Sequence, residues 1–254
     1  MDKEKEHIKD FDDFVGRVHQ RILLHHSYDK LREITDCLKS QGLITKFTEL
    51  YNEDFPMIDI NYKDSQVTLV TTRMGVYLSL WCVDKLAQWG AKYFLKLGTF
   101  VALNDEIQRG DVYVPDNAIV LHGPLNAYLG EGVTSVCASE SLTRMIHAKD
   151  NSVNRGTVLT YPVCQMKTKD NVYNPYEYIP NCFGLEMECA AVFAAAQFRN
   201  AQSAAILICN RDFPTLEGRT SGWRINREDP KYHDAYDKTI NLALETLIEV
   251  GDIK

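Results

Sequence analysis

The segment from Val67 to Leu97 restricts the fold more than any other part of this chain. Val67-Thr-Leu-Val-Thr71 is a short β-branched run, Gly75 interrupts it, and Leu78 to Trp89 repeats apolar residues with the 3.6-residue period of a helix lying on a sheet. Gly90 stands where a glycine ends a helix, and Tyr93-Phe-Leu-Lys-Leu97 follows as a buried strand. Strand, helix and strand in this order make a parallel crossover unit, and such sheets hold ligands beyond the carboxyl ends of their strands. Gly98-Thr99-Phe100 is therefore expected at a site.

The flanking sequence extends this pattern. Met57-Ile-Asp-Ile-Asn-Tyr62, the polar turn Lys63-Asp-Ser-Gln66 and Val67–Thr71 read as a β-hairpin. Apolar positions at helical spacing from Phe11 to Leu38 predict two helices (Phe14, Val18, Ile22; then Leu31, Ile34, Leu38). Further strands are expected at Asp111–Val114, Ala118–Val120, Gly156–Leu159 and Ala204–Cys209, and helices at Glu140–Ala148, Glu186–Phe198 and Tyr236–Val250. The fold class is α/β, with one central mixed sheet flanked by helices. No linker or repeat divides the 254 residues, so they form a single domain, 1–254, with residues 1–8 expected to be flexible.

Composition excludes several functions. The net charge of −7 with dispersed Lys and Arg argues against a nucleic-acid partner and leaves small anions open. No apolar run approaches the ~20 residues of a membrane span and the charged start is unlike a signal peptide, so a cytoplasmic location is expected. The seven cysteines, Cys37, Cys82, Cys137, Cys164, Cys182, Cys189 and Cys209, contain no C-x-x-C pair and read as small hydrophobes rather than disulfides or a zinc site. His25-His26 has no third ligand, and no metal is expected.

Three separated blocks carry a resemblance. Val83-Asp-Lys-Leu-Ala-Gln-Trp-Gly-Ala-Lys-Tyr-Phe-Leu-Lys-Leu-Gly-Thr99, followed by Ile107-Gln-Arg-Gly-Asp-Val112, resembles the helix, the R-x-G-T/S strand end and the G-D-V turn of nucleoside phosphorylases. Gly184-Leu-Glu-Met-Glu-Cys-Ala-Ala191 is similar to that family's E-M-E-x-A helix start. Ile206-Leu-Ile-Cys-Asn-Arg211 and Tyr161-Pro-Val-Cys-Gln-Met-Lys167 resemble the V-N-R strand end and the Y-P-x-Q-x-R loop of the uridine phosphorylase branch. Asp212 beside Arg211 leaves a purine-type reading open by a one-residue shift.

The resemblance implies the nucleoside phosphorylase fold and the transfer of a pentosyl group from a pyrimidine nucleoside to phosphate, giving free base and ribose 1-phosphate. It assigns ribose to Met187, Glu188 and His7, base to Gln165, Lys167 and Arg211, and phosphate to Lys30, Lys96 and Thr99. Glu188, Arg211 and Lys96 are the implied catalytic groups. The chemistry suits them. A carboxylate accepts from sugar hydroxyls and favours a cationic sugar, and an amide can match the uracil edge. Positive groups face the departing base. No cofactor is implied, with inorganic phosphate as co-substrate, and family members assemble as dimers or as hexamers of dimers. His7 is either a group reaching a neighbouring subunit's ribose or a surface residue.

The phosphate half departs from the family pattern. The G-D-P-x-R turn aligns with His26-Ser-Tyr-Asp-Lys30, the arginine of R-x-G-T is Lys96, and an arginine lent by a neighbouring subunit falls near Asn52-Glu53. Lysine offers a point charge without the guanidinium fork. The loops Met74-Gly-Val-Tyr-Leu-Ser79 and Gly98-Thr-Phe-Val101 carry Tyr77, Phe100 and Val101 where the family has small residues, which is expected to narrow or reshape the pocket. Three readings follow: an active phosphorylase, a nucleoside hydrolase using water, and a non-catalytic nucleoside-binding or regulatory subunit paired with an active paralogue.

Overall fold

The computed structural model describes residues 4–7, 11–52, 54–120, 125–161, 181–211 and 229–250. Their strands are β1 (Glu4–His7), β2 (Arg21–His25), β3 (Ile44–Tyr51), β4 (Met57–Tyr62), β5 (Ser65–Thr71), β6 (Tyr93–Ala102), β7 (Val112–Val120), β8 (Ser135–Cys137), β9 (Asn154–Thr160), β10 (Cys182–Glu186) and β11 (Gln202–Arg211). The helices are α1 (Tyr28–Ser40), α2 (Val76–Gln88), α3 (Asn126–Leu129), α4 (Glu140–Lys149), α5 (Cys189–Phe198) and α6 (Pro230–Glu249).

All eleven strands belong to one mixed sheet. An arm runs β1-β3-β4-β5-β2 to β6, and beyond it β6, β10, β9, β7 and β11 close into a ring because β11 pairs back with β6. The expected crossover is present: β5 and β6 both lie parallel to β2, with α2 between them in sequence.

Alternation along the strands divides the interior into two cores. On β6, Phe94, Phe100 and Ala102 join α2 and α5, whereas Leu95 and Leu97 join α1, α4 and α6. Helix α5 is buried from Cys189 to Ala196, and its alanines let it lie close to α2 and the sheet. The local signals agree with these elements. The β4–β5 hairpin turns on Lys63 and Asp64, both at positive φ. Helix α1 starts at Ser27, whose hydroxyl accepts from the Lys30 amide, and α6 starts at Asp229 with Pro230 in its first turn. Cys82, Cys182, Cys189 and Cys209 are buried free thiols, whereas Cys37 is half-buried and Cys137 exposed.

Several expectations are corrected. Of the two helices predicted between Phe11 and Leu38, only the second forms. The first is replaced by a 3-10 turn at Phe11–Phe14 and by β2. Arg21-Ile-Leu-Leu-His25 is a short apolar run buried on both faces, Ile22 and Leu24 in one core and Leu23 in the other, and so short a run satisfies either period. The helix expected from Glu186 begins at Cys189, because Cys182–Glu186 is a strand. The two strands expected at Asp111–Val114 and Ala118–Val120 are one, β7, with a register shift between Pro115 and Asn117 where a proline is tolerated. Within the start expected to be flexible, Glu4–His7 pair in parallel with β3 as β1. Among the described residues no helix is long and apolar enough to cross a membrane.

Candidate active site

A break in strand pairing along β6 creates the site. The edge of β6 that faces away from β11 pairs with β2 only as far as Leu24 opposite Lys96, and with β10 only from Val101 opposite Leu185. Between these points the edge is open, which is the crevice at a change of strand partner where α/β sheets take ligands. The ends of β2, β5 and β10 and the starts of α1, α2 and α5 surround it.

Lys96 lies at the centre. Its ammonium is 3.1 Å from Glu186 Oε2 and 3.4 Å from Glu188 Oε2, and the three side chains expose only 2%, 1% and 7% of their surface. Gly98 makes this position possible, since a Cβ there would come within 2.5 Å of Lys96 Nζ.

The two glutamates do different work. Glu186, the last residue of β10, accepts from Thr160 Oγ1 at 2.6 Å and from the amides of Glu188 at 2.8 Å and Cys189 at 2.9 Å. Thr160 Oγ1 in turn accepts from the Ala190 amide at 3.0 Å. Together they satisfy the free amides of the first turn of α5 and place negative charge at its positive end. Glu188 makes no capping contact with α5 and turns instead to Lys96 and to the start of α2. Its Oε1 accepts from the Gly75 amide at 2.9 Å, at the start of α2.

Electrostatics separate the pair further. Burial would raise the Glu186 carboxyl, but Lys96, the Thr160 hydroxyl and the two amides outweigh it and hold the pKa below the usual range. For Glu188 burial prevails, countered by Lys96 and reinforced by Glu186, so its pKa is raised. Burial works against the Lys96 charge, yet the neighbouring anions raise its pKa. Because burial pushes the Cys189 thiol well up and keeps it neutral, the two carboxylates are the anions that matter.

The carboxyl end of β2 forms the opposite wall. His25 stacks on His26 with ring centroids 4.3 Å apart. The Ser27 amide donates to His25 Nδ1 at 3.0 Å, and His25 Nε2 lies 3.4 Å from the Tyr236 hydroxyl. Burial, followed by the charges of Lys96 and Lys30, lowers His26 to about 4, and His25 is also lowered, chiefly by burial, so both imidazoles near Lys96 are uncharged at neutral pH.

Lys96 and Glu188 come together here, and Met187, half-buried, stands between the two glutamates in sequence. The other two residues assigned to phosphate have other partners. Lys30 pairs with Glu33 and lies over the Tyr236 ring, 5.6 Å from its centroid. Thr99 shares the strand face of Leu95 and Leu97, opposite to Lys96, and its hydroxyl accepts from Asn210 Nδ2 at 2.9 Å. His7 and Arg211 are described through their backbones, in β1 and at the end of β11. Gln165, Lys167 and Glu53 lie outside the described residues.

The large residues of the altered loops occupy separate places. Phe100 is buried over Gly184 and packs edge-on against Tyr113 and Phe183, and Tyr77 is 70% exposed. Trp81 and Trp89 pack on Phe55, and Trp89 also stacks on Phe14. Sequence reasoning missed Glu186, Thr160 and the Gly75 amide. A lysine within the apolar run Tyr93–Leu97 needs a buried counter-charge, and that need was a readable signal for a second carboxylate.

Comparison with known proteins agrees with this architecture. A family profile described as Phosphorylase superfamily matches residues 30–248. The guanosine phosphorylase of Halorubrum lacusprofundi is 24% identical over 242 residues, covering 91% of this chain and 94% of that protein. A DeoD-type purine nucleoside phosphorylase from Exiguobacterium sp. is 25% identical over 212 residues, covering 80% and 84%. Among solved structures, uridine phosphorylase from Vibrio fischeri superposes with a TM-score of 0.76 at 22% identity, covering 92% and 93% of the two chains. Purine nucleoside phosphorylase from Toxoplasma gondii superposes at 0.78 with 18% identity, covering 92% of each. With the profile spanning most of its length, the chain belongs to the phosphorylase superfamily as a glycosyltransferase-like enzyme.

Proposed function

We propose that this protein breaks the N-glycosidic bond of a nucleoside, with the ribose held at Glu188 and a pyrimidine as the departing base. The observation that carries this reading is the Glu188 carboxylate, fixed at the open edge of β6 by Lys96 and the Gly75 amide. A carboxylate has about four acceptor positions, and these two contacts leave room for two sugar hydroxyls. As the bond to the base stretches, positive charge develops on the sugar, and a buried carboxylate beside it favours that state over the ground state.

The pyrimidine assignment rests on Gln165, Lys167 and Arg211, an amide and two cations suited to an imide edge and its carbonyl oxygens. A purine reading has its own support in the names of the two curated relatives and in Asp212 beside Arg211. The test is release of free base by the purified protein from uridine, thymidine, inosine and guanosine, resolved by chromatography. Preference for uridine or thymidine supports the proposal, preference for a purine replaces its base assignment, and release from none of the four removes it in favour of a non-catalytic subunit.

A further inference from the structure

Among the described residues, the Lys96 ammonium and the Gly75 amide at the open edge of β6 are bound by the protein's own carboxylates. The ammonium of Lys96 lies between Glu186 and Glu188, and the Gly75 amide at the start of α2 is bound by Glu188. One ammonium and two carboxylates give the cluster one net negative charge, or none when Glu188 takes a proton. A phosphate dianion entering here would have to displace a buried glutamate from its ammonium, exposing a charge that the interior does not tolerate unpaired. Lys30 pairs with Glu33 at the surface, and Thr99 accepts from Asn210 on the other face of the strand. A negative to neutral pocket nevertheless suits a cationic sugar.

We infer that the pentosyl acceptor is water rather than inorganic phosphate, and that Lys96 is a positioning residue which sets the carboxylates of Glu186 and Glu188. This rests on the nucleoside-cleaving function proposed above. In the reaction the bond from C1′ to the base nitrogen breaks and its electron pair leaves with the base. The water oxygen bonds to C1′ and gives up one proton, and the base nitrogen gains one. Nucleoside and water become free pentose and free base, with no other reactant required.

The deciding experiment uses the full-length protein with uridine, thymidine, inosine and guanosine, in buffer freed of phosphate by an enzymatic scavenger and in the same buffer with added inorganic phosphate. Free base, reducing sugar and pentose 1-phosphate are measured together, and a parallel reaction runs in water enriched in heavy oxygen. The inference predicts base release equal within about twofold in the two buffers, no pentose 1-phosphate, and heavy oxygen on C1 of the sugar. Release about tenfold or more faster with phosphate, with pentose 1-phosphate as product, overturns the inference and leaves nucleoside cleavage standing. Absence of base release in both buffers removes the cleavage reading and this inference with it.

Discussion

Replacing Lys96 by methionine keeps most of the side-chain volume and removes the one ammonium between Glu186 and Glu188. Glu186 remains bound to the Thr160 hydroxyl and the amides of Glu188 and Cys189, and stays ionised. Glu188 keeps the Gly75 amide but loses the cation that opposed its burial. Removing one partner of a buried pair costs about 3–5 kcal/mol, a large share of a net stability of roughly 5–15 kcal/mol. The loss depends on pH with a defined sign. The Glu188 pKa, already raised, rises further in the variant, so the folded state binds more protons than the unfolded one above the ordinary glutamate value. Stability relative to the parent therefore falls as pH rises through that window, and the deficit is smaller at acidic than at mildly alkaline pH. Urea unfolding at two such pH values measures it by linear extrapolation. Adding Glu188→Gln to Lys96→Met removes the stranded carboxylate and is expected to recover about 2 kcal/mol at the higher pH. A deficit under about 1 kcal/mol there, or one that does not change with pH, would refute the account of the triad.

Two further predictions test its surroundings. In Gly184→Ala the new Cβ would stand 2.1 Å from Phe100 Cδ2, a ring confined by Tyr113 and Phe183, so overpacking of about 1–3 kcal/mol is expected in urea unfolding. Phe100→Leu in the same chain should relieve part of it, and no relief would mean that the strain lies elsewhere. His26, lowered to about 4 by burial and then by Lys96 and Lys30, binds its proton more readily in the unfolded chain. Stability is therefore lost as pH falls from about 6.5 towards 4, by up to about 3 kcal/mol from this group. A His26→Gln variant should lose correspondingly less over that interval, and equal slopes for the two proteins would contradict the assignment.

The crossover from Val67 to Leu97 was legible because a helical period between two short strand-like runs has few alternative folds. The Glu188 block was legible as a resemblance, and the fold places its carboxylate at the open edge of β6. What stayed hidden has identifiable causes. The strand β2 read as helix because three apolar residues, Ile22 to Leu24, satisfy both periods when both faces are buried. Closure of the ring depends on β11 returning to β6, a pairing between segments about a hundred positions apart that leaves no local pattern. Thr99 is three residues from Lys96 in sequence, yet the two-residue alternation of a strand sends it to the opposite face. The division of labour between Glu186 and Glu188 follows from where β10 ends and α5 begins, a boundary that periodicity does not resolve to a single residue.

The claim that Glu188 holds the sugar is tested most directly by comparing kcat/KM of the parent and Glu188→Ala on the best nucleoside substrate, with both proteins shown to be folded by their thermal transitions. Two charge-assisted hydrogen bonds of about 1.5–3 kcal/mol each, strengthened as the sugar becomes cationic, predict a loss of about a hundredfold or more. Activity within about threefold of the parent would contradict the account and move the ribose away from the open edge of β6.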